Sequence, residues 1–206
     1  MEPFKTLNSK AVPLMGDNID TDVITPIGRV MEGLKAIIEF AFEPLRFDES
    51  GALRPDCPLN DQRYAGAKIL LAGDNFGCGS SRETAVWAVA GLGFRCVIAP
   101  SFGDIFYSSC FKNGLLPIVL HRTGVTELAE QAEDGGNEIT VDLENQNVSN
   151  EKGRYPFEVP LLRKEALLSG IDDLGLIQRR MNKIVTFEKE DLRRRPWVYL
   201  VSNPLP

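Results

Sequence analysis

The chain has 206 residues, 43% of them hydrophobic and 25% charged, and it carries a net charge of −6. That length suits a single domain with an appended tail, large enough to fold without staples. The acidic balance excludes a general nucleic-acid binder, and no apolar run approaches the ~20 residues that span a bilayer.

In chain order, short strands are expected over residues 4–7 and 11–14, followed by the polar loop Gly16-Asp-Asn-Ile-Asp-Thr-Asp22. Leu34, Ile37, Ile38 and Phe42 recur at helical spacing and predict an amphipathic helix over 34–42. Residues 44–64 hold three prolines and few periodic apolar positions. They read as a long loop of the kind that serves function or meets a partner. Lys68-Ile-Leu-Leu-Ala72 is a buried strand, and the glycine-rich Gly73-Asp-Asn-Phe-Gly-Cys-Gly79 follows it. A helix is predicted over about 82–92, a strand over 96–99, a helix over 104–112 closed by Asn113-Gly114, and a strand over 115–120. Strand and helix alternating in this way predict parallel pairing with right-handed crossovers. Further on, 138–143 and 155–159 suggest a hairpin across an Asn-rich turn. A helix over 161–168 ends at Gly170, and a charged helical segment covers 175–195. The expected fold is α/β: one domain over 1–206 with a parallel βαβαβ core, the core spanning about 4–177 and a helical extension 178–206.

Ser80-Ser-Arg-Glu83 stands where the glycine loop becomes a helix. Its first reading is a capping box, with Ser80 accepting from the Glu83 amide. Two features point beyond a cap. Gly77 and Gly79 let the backbone approach a ligand, and the first helix amides point into the same space. Arg82 in the first helical turn opposes the helix dipole at about 0.3–1 kcal/mol, and local costs of this kind tend to mark functional sites. A guanidinium beside free amides and a hydroxyl is a receptor for a carboxylate or phosphate. ATP and dinucleotides are poor fits, because the loop lacks the P-loop lysine and the third glycine of a dinucleotide fingerprint.

Other candidates read as structural. Ser101-Phe-Gly-Asp104 is a second capping box, and Asp17, Asp20 and Asp22 suit turn and cap duty without the glycine and terminal glutamate of an EF-hand loop. His121 has no sequence partner for a nucleophilic couple, and Cys78, without a base, reads as a loop-filling thiol. Cys57, Cys78, Cys96 and Cys110 show no C-x-x-C or ferredoxin-like spacing, so no cofactor or metal is assigned to this chain. Reduced thiols and an N-terminus, MEPFKTLNSK, without an apolar signal stretch predict a cytoplasmic protein. Arg193-Arg194-Arg195 reads as a solvated helix end.

Asp20-Thr-Asp-Val-Ile-Thr-Pro26, Asn75-Phe-Gly-Cys-Gly-Ser-Ser-Arg-Glu83, Ala99-Pro-Ser-Phe-Gly-Asp-Ile-Phe-Tyr107 and Gly114-Leu-Leu-Pro117 occur in this order. At these residues the chain resembles the small-subunit family of bacterial isopropylmalate isomerases and, more broadly, the mobile fourth domain of aconitases. The likeness runs from about residue 4 to 177. It implies a swivelling β/β/α domain that closes over a large subunit carrying a [4Fe–4S] cluster, with the cluster's cysteines on that other chain. The implied reaction interconverts 2-isopropylmalate and 3-isopropylmalate in leucine biosynthesis, removing and re-adding water through an alkene dicarboxylate. Carried over by position, Ser80 is the base and Arg82 holds a substrate carboxylate. Ser81 is a supporting donor, and Asp22 stands near the active site.

Two places depart from the pattern. Ile27-Gly-Arg-Val-Met31 replaces the aromatic–leucine pair that opens the family's substrate-recognition loop, and Thr84 stands where many relatives have histidine. Arg29 is thereby a candidate for a second carboxylate, with a surface salt bridge as its alternative. Two other functions stay open: a paralogous dehydratase acting on another hydroxy-dicarboxylate, and a non-catalytic anion-binding module. RNA binding, known among aconitase relatives, is opposed by the charge and by the lack of an aromatic–basic stripe.

Overall fold

The computed structural model of the protein, which describes residues 1–134 and 138–199, puts β1 at Thr6–Ser9 and β2 at Ala11–Leu14 and sends these neighbours to different sheets. After β2 come four short helices: α1 (Thr21–Ile24), α2 (Ile27–Glu32), α3 (Leu34–Glu39) and α4 (Glu43–Arg46). Two 3₁₀ turns, Pro58–Asn60 and Gln62–Tyr64, lead into β3 (Ile69–Ala72). The rest of the core alternates: α5 (Glu83–Gly91), β4 (Cys96–Ala99), α6 (Asp104–Lys112), β5 (Leu116–Val119) and α7 (Arg122–Glu133).

β2, β3, β4 and β5 form one parallel sheet in that order, with Ala11 opposite Ile69, Ile69 opposite Cys96 and Cys96 opposite Leu116. A parallel sheet is covered on both faces, so its strands are continuous apolar runs. Strand side chains alternate, and each run therefore feeds two cores. Leu70, Ala72, Val97 and Ala99 face Val86 and Val89 of α5 and Phe106 of α6. Ile69, Leu71, Cys96 and Ile98 face Val125, Leu128 and Ala132 of α7 and the second sheet.

That second sheet is antiparallel, in the order β1-β6-β7-β8, with β6 at Ile139–Asp142, β7 at Asn147–Ser149 and β8 at Arg154–Pro156. It corrects the expected hairpin. The 138–143 and 155–159 segments do not pair with each other, because the Asn-rich stretch between them is itself a strand that buries Val148. Beyond β8, Phe157 N still donates to Gln146 O at 3.0 Å, while the Phe157 and Val159 side chains enter the core. α8 (Leu161–Ser169) ends on Gly170 in the left-handed region, as the glycine predicts.

The chain divides into two compact units after Gly170, so the sequence-expected core boundary near 177 falls within the second. In that unit α9 (Asp173–Arg179) is N-capped by Asp172, which accepts from the Gly175 amide at 2.8 Å. α10 (Met181–Arg194) follows, and Arg195 closes on Asp191 at 2.7 Å. Residues 200–206, the end of the expected helical extension, lie outside the described residues. Among the described residues no helix is long and apolar enough to cross a membrane.

Candidate functional site

The loops that leave β2, β3 and β4 all emerge at the carboxyl ends of parallel strands, where α/β sheets place their ligands. Backbone hydrogen bonds zip the first two together. Asn18 N donates to Asp74 O at 2.8 Å, Gly77 N to Ile19 O at 2.8 Å, and Thr21 N to Cys78 O at 2.9 Å. The Thr21 hydroxyl donates to Ser80 O at 3.0 Å. The third loop joins on the other side, with Phe76 N donating to Ser101 O at 3.1 Å and Gly103 N to Phe76 O at 2.9 Å. Beneath the loops the buried Phe76 ring meets Phe106 edge-on at 5.3 Å and Phe102 at 6.4 Å.

This packing explains two glycines. A Cβ on Gly103 would lie 2.5 Å from Gly77 O and 2.9 Å from the Cys78 Cα. Gly77 has φ +72°, and a Cβ there would enter the Phe106 ring. The Gly77 requirement is thus close packing of loop on helix, not approach to a ligand as expected from sequence. Gly77→Ala combines a left-handed backbone with overpacking and is expected to destabilise the isolated chain by about 2–4 kcal/mol. The shift in the urea midpoint measures it. A variant as stable as wild type would show that the loop can move off Phe106.

The end of the zipper gathers the sequence-predicted residues. The Arg82 Nη1 donates to the Asp22 carboxylate and, at 3.5 Å, to the Thr25 carbonyl. The Arg82 side chain is 20% exposed and that of Asp22 56%. Both recorded hydrogen bonds of Arg82 use Nη1, so Nη2 and Nε are left for another acceptor. Ser80 and Ser81 are exposed beside it, and neither hydroxyl has a protein partner among the described residues.

Two sequence expectations are corrected here. α5 begins at Glu83, Arg82 is the extended residue before it (φ −132°, ψ 109°), and no side chain caps the helix. Ser80 is therefore no N-cap, and Arg82 is outside the first turn, where the dipole penalty does not apply. Pairing along the zipper keeps the backbone extended through Arg82, and Glu83 accepts from Asn113 Nδ2 at 2.9 Å instead of reaching back. The second box fails for the same reason. Gly103 precedes α6, while the Ser101 hydroxyl accepts from Asn75 N at 2.8 Å and donates to Asp74 Oδ1 at 3.2 Å.

Among the described residues Arg29 shares no hydrogen bond or ion pair with this cluster. Its guanidinium forks onto Glu43, at 2.9 Å and 2.5 Å, bonds Glu32 at 2.9 Å, and stacks on Phe40. The salt bridge is the arrangement observed, and Glu43 is held below the usual carboxylate range by it. Asp20 caps α1 by accepting from Val23 N at 2.8 Å, and His121 caps α7. Burial and the nearby Asp20 charge push the Cys78 thiol up, so it stays protonated and unsuited to attack. Among the described residues no group of His, Cys, Asp and Glu side chains is placed to hold a metal ion. Cys57, Cys96 and Cys110 are free and buried, so the thiols present do not fit an iron–sulfur cluster.

Sequence reasoning missed the group at the other end of the zipper. Arg122, the first residue of α7, donates through Nη2 to Asp17 at 3.0 Å and to the Asp74 carboxylate. Asp17 Oδ1 accepts from Asp74 N at 2.8 Å, and this bond, then Arg122, holds its carboxyl below the usual range. No local pattern announces partners so distant in the chain.

The family model described as the aconitase C-terminal domain matches residues 1–123, and a second, LeuD_N, matches 126–160. The chain is 48% identical to a 3-isopropylmalate dehydratase small subunit of Rhodospirillum centenum, covering 96% of this chain and 98% of that one. It is 44% identical to the protein of the same name from Saccharophagus degradans, over 98% and 100% of the two chains. Among solved structures, a 3-isopropylmalate dehydratase from Methanocaldococcus jannaschii superposes with a TM-score of 0.65 at 24% identity, over 89% of this chain and 99% of that one. That likeness supports the fold.

Proposed function

Because the chain belongs to the family of 3-isopropylmalate dehydratase small subunits, whose fold is the aconitase C-terminal domain, we propose that the Ser80–Arg82 end of the zipper is its half of a hydro-lyase active site. A small subunit works with a large one. The family's [4Fe–4S] cluster belongs, on this reading, to that partner, since the thiols here do not suit it. Free thiols suit a reducing compartment such as the cytoplasm.

Dehydration of a hydroxy-dicarboxylate needs a base for the proton next to a carboxylate and a receptor that keeps that carboxylate in place. Arg82 is the receptor. Asp22 anchors Nη1, and the free Nη2 and Nε can meet two carboxylate oxygens as a fork. Ser80 is the base. As alkoxide its Oγ takes the proton from one carbon, and the C–H electron pair becomes the C=C bond of the alkene. The hydroxyl leaves the adjacent carbon on the side facing the large subunit, where the cluster would supply the Lewis acid for it. On rehydration the hydroxyl adds to the first carbon and the same Ser80 O–H returns the proton to the second. A serine hydroxyl is a weak base in water, so the alkoxide requires adjacent positive charge and a closed, dry cleft. Arg82 supplies the charge, and closure against the large subunit supplies the cleft. Ser81 is a further donor at the mouth.

α2, which departs from the family pattern, begins just after Thr25 and exposes Ile27 and Met31. An apolar face there suits an alkyl group. With Arg29 occupied by Glu43 and Glu32, a second carboxylate has no receptor on it. This favours isopropylmalate over a more polar paralogous substrate.

The observation that carries the proposal is the joint placement of a Ser80 hydroxyl with no protein partner among the described residues and a half-satisfied Arg82 on one hydrogen-bonded loop. Co-expression with the large subunit, cluster reconstitution and a panel of 2-hydroxy-dicarboxylates tests it. The complex is expected to turn over 2-isopropylmalate and 3-isopropylmalate fastest. The chain alone is expected to be colourless after anaerobic reconstitution, without stoichiometric iron or turnover. A cluster absorption band from this chain alone, or a complex inactive on every panel member, overturns the reading.

A further inference from the structure

We propose that Arg122, with Asp17 and Asp74, is a clamp that positions the active loop from the far end of the zipper. The inference rests on the reading of Ser80 and Arg82 given above and adds residues that touch no substrate. Asp17 lies on the loop after β2, Asp74 on the loop after β3, and Arg122 at the start of the helix after β5. The three therefore tie together three separate connections that leave the parallel sheet, those after β2, β3 and β5.

The tie continues into backbone. Asp17 Oδ1 accepts from Asp74 N, Asp74 O accepts from Asn18 N, and Asn75 Nδ2 donates to Asn18 Oδ1 at 2.9 Å. Ser101 links the same point to the loop after β4 through Asp74 and the Asn75 amide. A Cβ on Gly73 would sit 2.5 Å from Asp17 Oδ1, so the glycine keeps the space this carboxylate occupies. From there the rungs run without a gap in direction through Ile19–Gly77, Thr21–Cys78 and Thr21–Ser80 to Asp22–Arg82. Ion pairs close both ends, Arg82 with Asp22 at one and Arg122 with Asp17 and Asp74 at the other. The Arg82 pair faces substrate, and the Arg122 group holds the register of the rungs.

Arg122, Asp17 and Asp74 are 53%, 43% and 38% exposed, and exposed pairs contribute little to global stability. The effect of the clamp is local. A flexible arginine still finds its carboxylate if the loop shifts slightly, whereas proton transfer at Ser80 depends on fine placement of Oγ. Loosening the clamp therefore lowers kcat more than it raises KM.

The test uses the complex with the large subunit and compares Arg122→Met, Arg122→Lys, Ser80→Ala and Arg82→Lys. Arg122→Met is expected to lower kcat by about ten- to a hundredfold, with KM within about twofold. The melting point of the isolated chain should barely move. Arg122→Lys, which keeps a cation between the two carboxylates, should restore most of the turnover. In the isolated chain the Asn18, Asp74 and Asn75 amides should exchange hydrogen faster in Arg122→Met than in wild type or Arg122→Lys. An unchanged kcat, a kcat that falls only with the folded fraction, or a lysine variant as poor as the methionine one overturns the clamp. If Ser80→Ala and Arg82→Lys turn over normally, the site reading itself has failed. If those two collapse while Arg122→Met is unaffected, the clamp alone has failed.

Discussion

Ser80→Ala is expected to lower turnover of the assembled enzyme by about 10²–10⁴-fold, the range for a positioned acid–base group. The isolated chain should be unaffected. Ser80 is exposed, its hydroxyl has no protein partner among the described residues, and it does not cap α5. A surface change of that kind moves stability by under about 0.5 kcal/mol. Glu83→Ala is the matched control, because Glu83 opens α5 and holds Asn113, whose side chain also accepts from Trp87 Nε1 at 3.1 Å. It should melt somewhat earlier and keep its turnover. Equal, modest losses in both variants would show that the loop is structural and that Ser80 is not the base.

Arg82→Lys is the second large effect. An ammonium is a point charge and cannot hold Asp22 with one nitrogen while presenting two more to a carboxylate. Charge-assisted hydrogen bonds contribute about 1.5–3 kcal/mol each, so kcat/KM should fall by on the order of 10²-fold. Circular dichroism and the melting point of the chain should stay near wild type, since the residue lies at the surface end of the zipper. Turnover and KM both near wild type would make Arg82 an ordinary surface partner of Asp22.

Much of the fold was legible because the relevant signals are local. The expected boundaries of β2, β4 and α6 coincide with those observed, each being a dense apolar run or a helical repeat bounded by turn residues. α7 was missed although Val125, Leu128, Ala129 and Ala132 stand at helical spacing. Its start is unusual, with His121 as the cap and Gly124 in the first turn. β7 escaped notice because Asn147-Val-Ser149 holds one apolar residue among turn formers. At the site, the motif strings are far apart in the chain, and the structure brings their Asp22, Ser80, Ser81 and Arg82 to one end of the zipper. The capping boxes misled because Ser80 and Ser101 obey a local pattern that tertiary pairing overrides. Arg29 found its carboxylates inside its own chain. The Arg122 group was invisible for a plain reason: its partners are 48 and 105 residues away.

The division of β1 and β2 between two sheets has a consequence for synthesis. β2 can pair once β3, at Ile69–Ala72, has left the ribosome, whereas the partner of β1 is β6, with Thr6 opposite Asp142 and Ser9 opposite Ile139. At about 5–20 residues per second, β1 waits on the order of ten seconds for β6. An unpaired strand is a template for the wrong partner. This one is four residues long, polar on its outer side, and bracketed by Lys5 and Lys10, features that discourage pairing between nascent chains until residues 139–142 arrive.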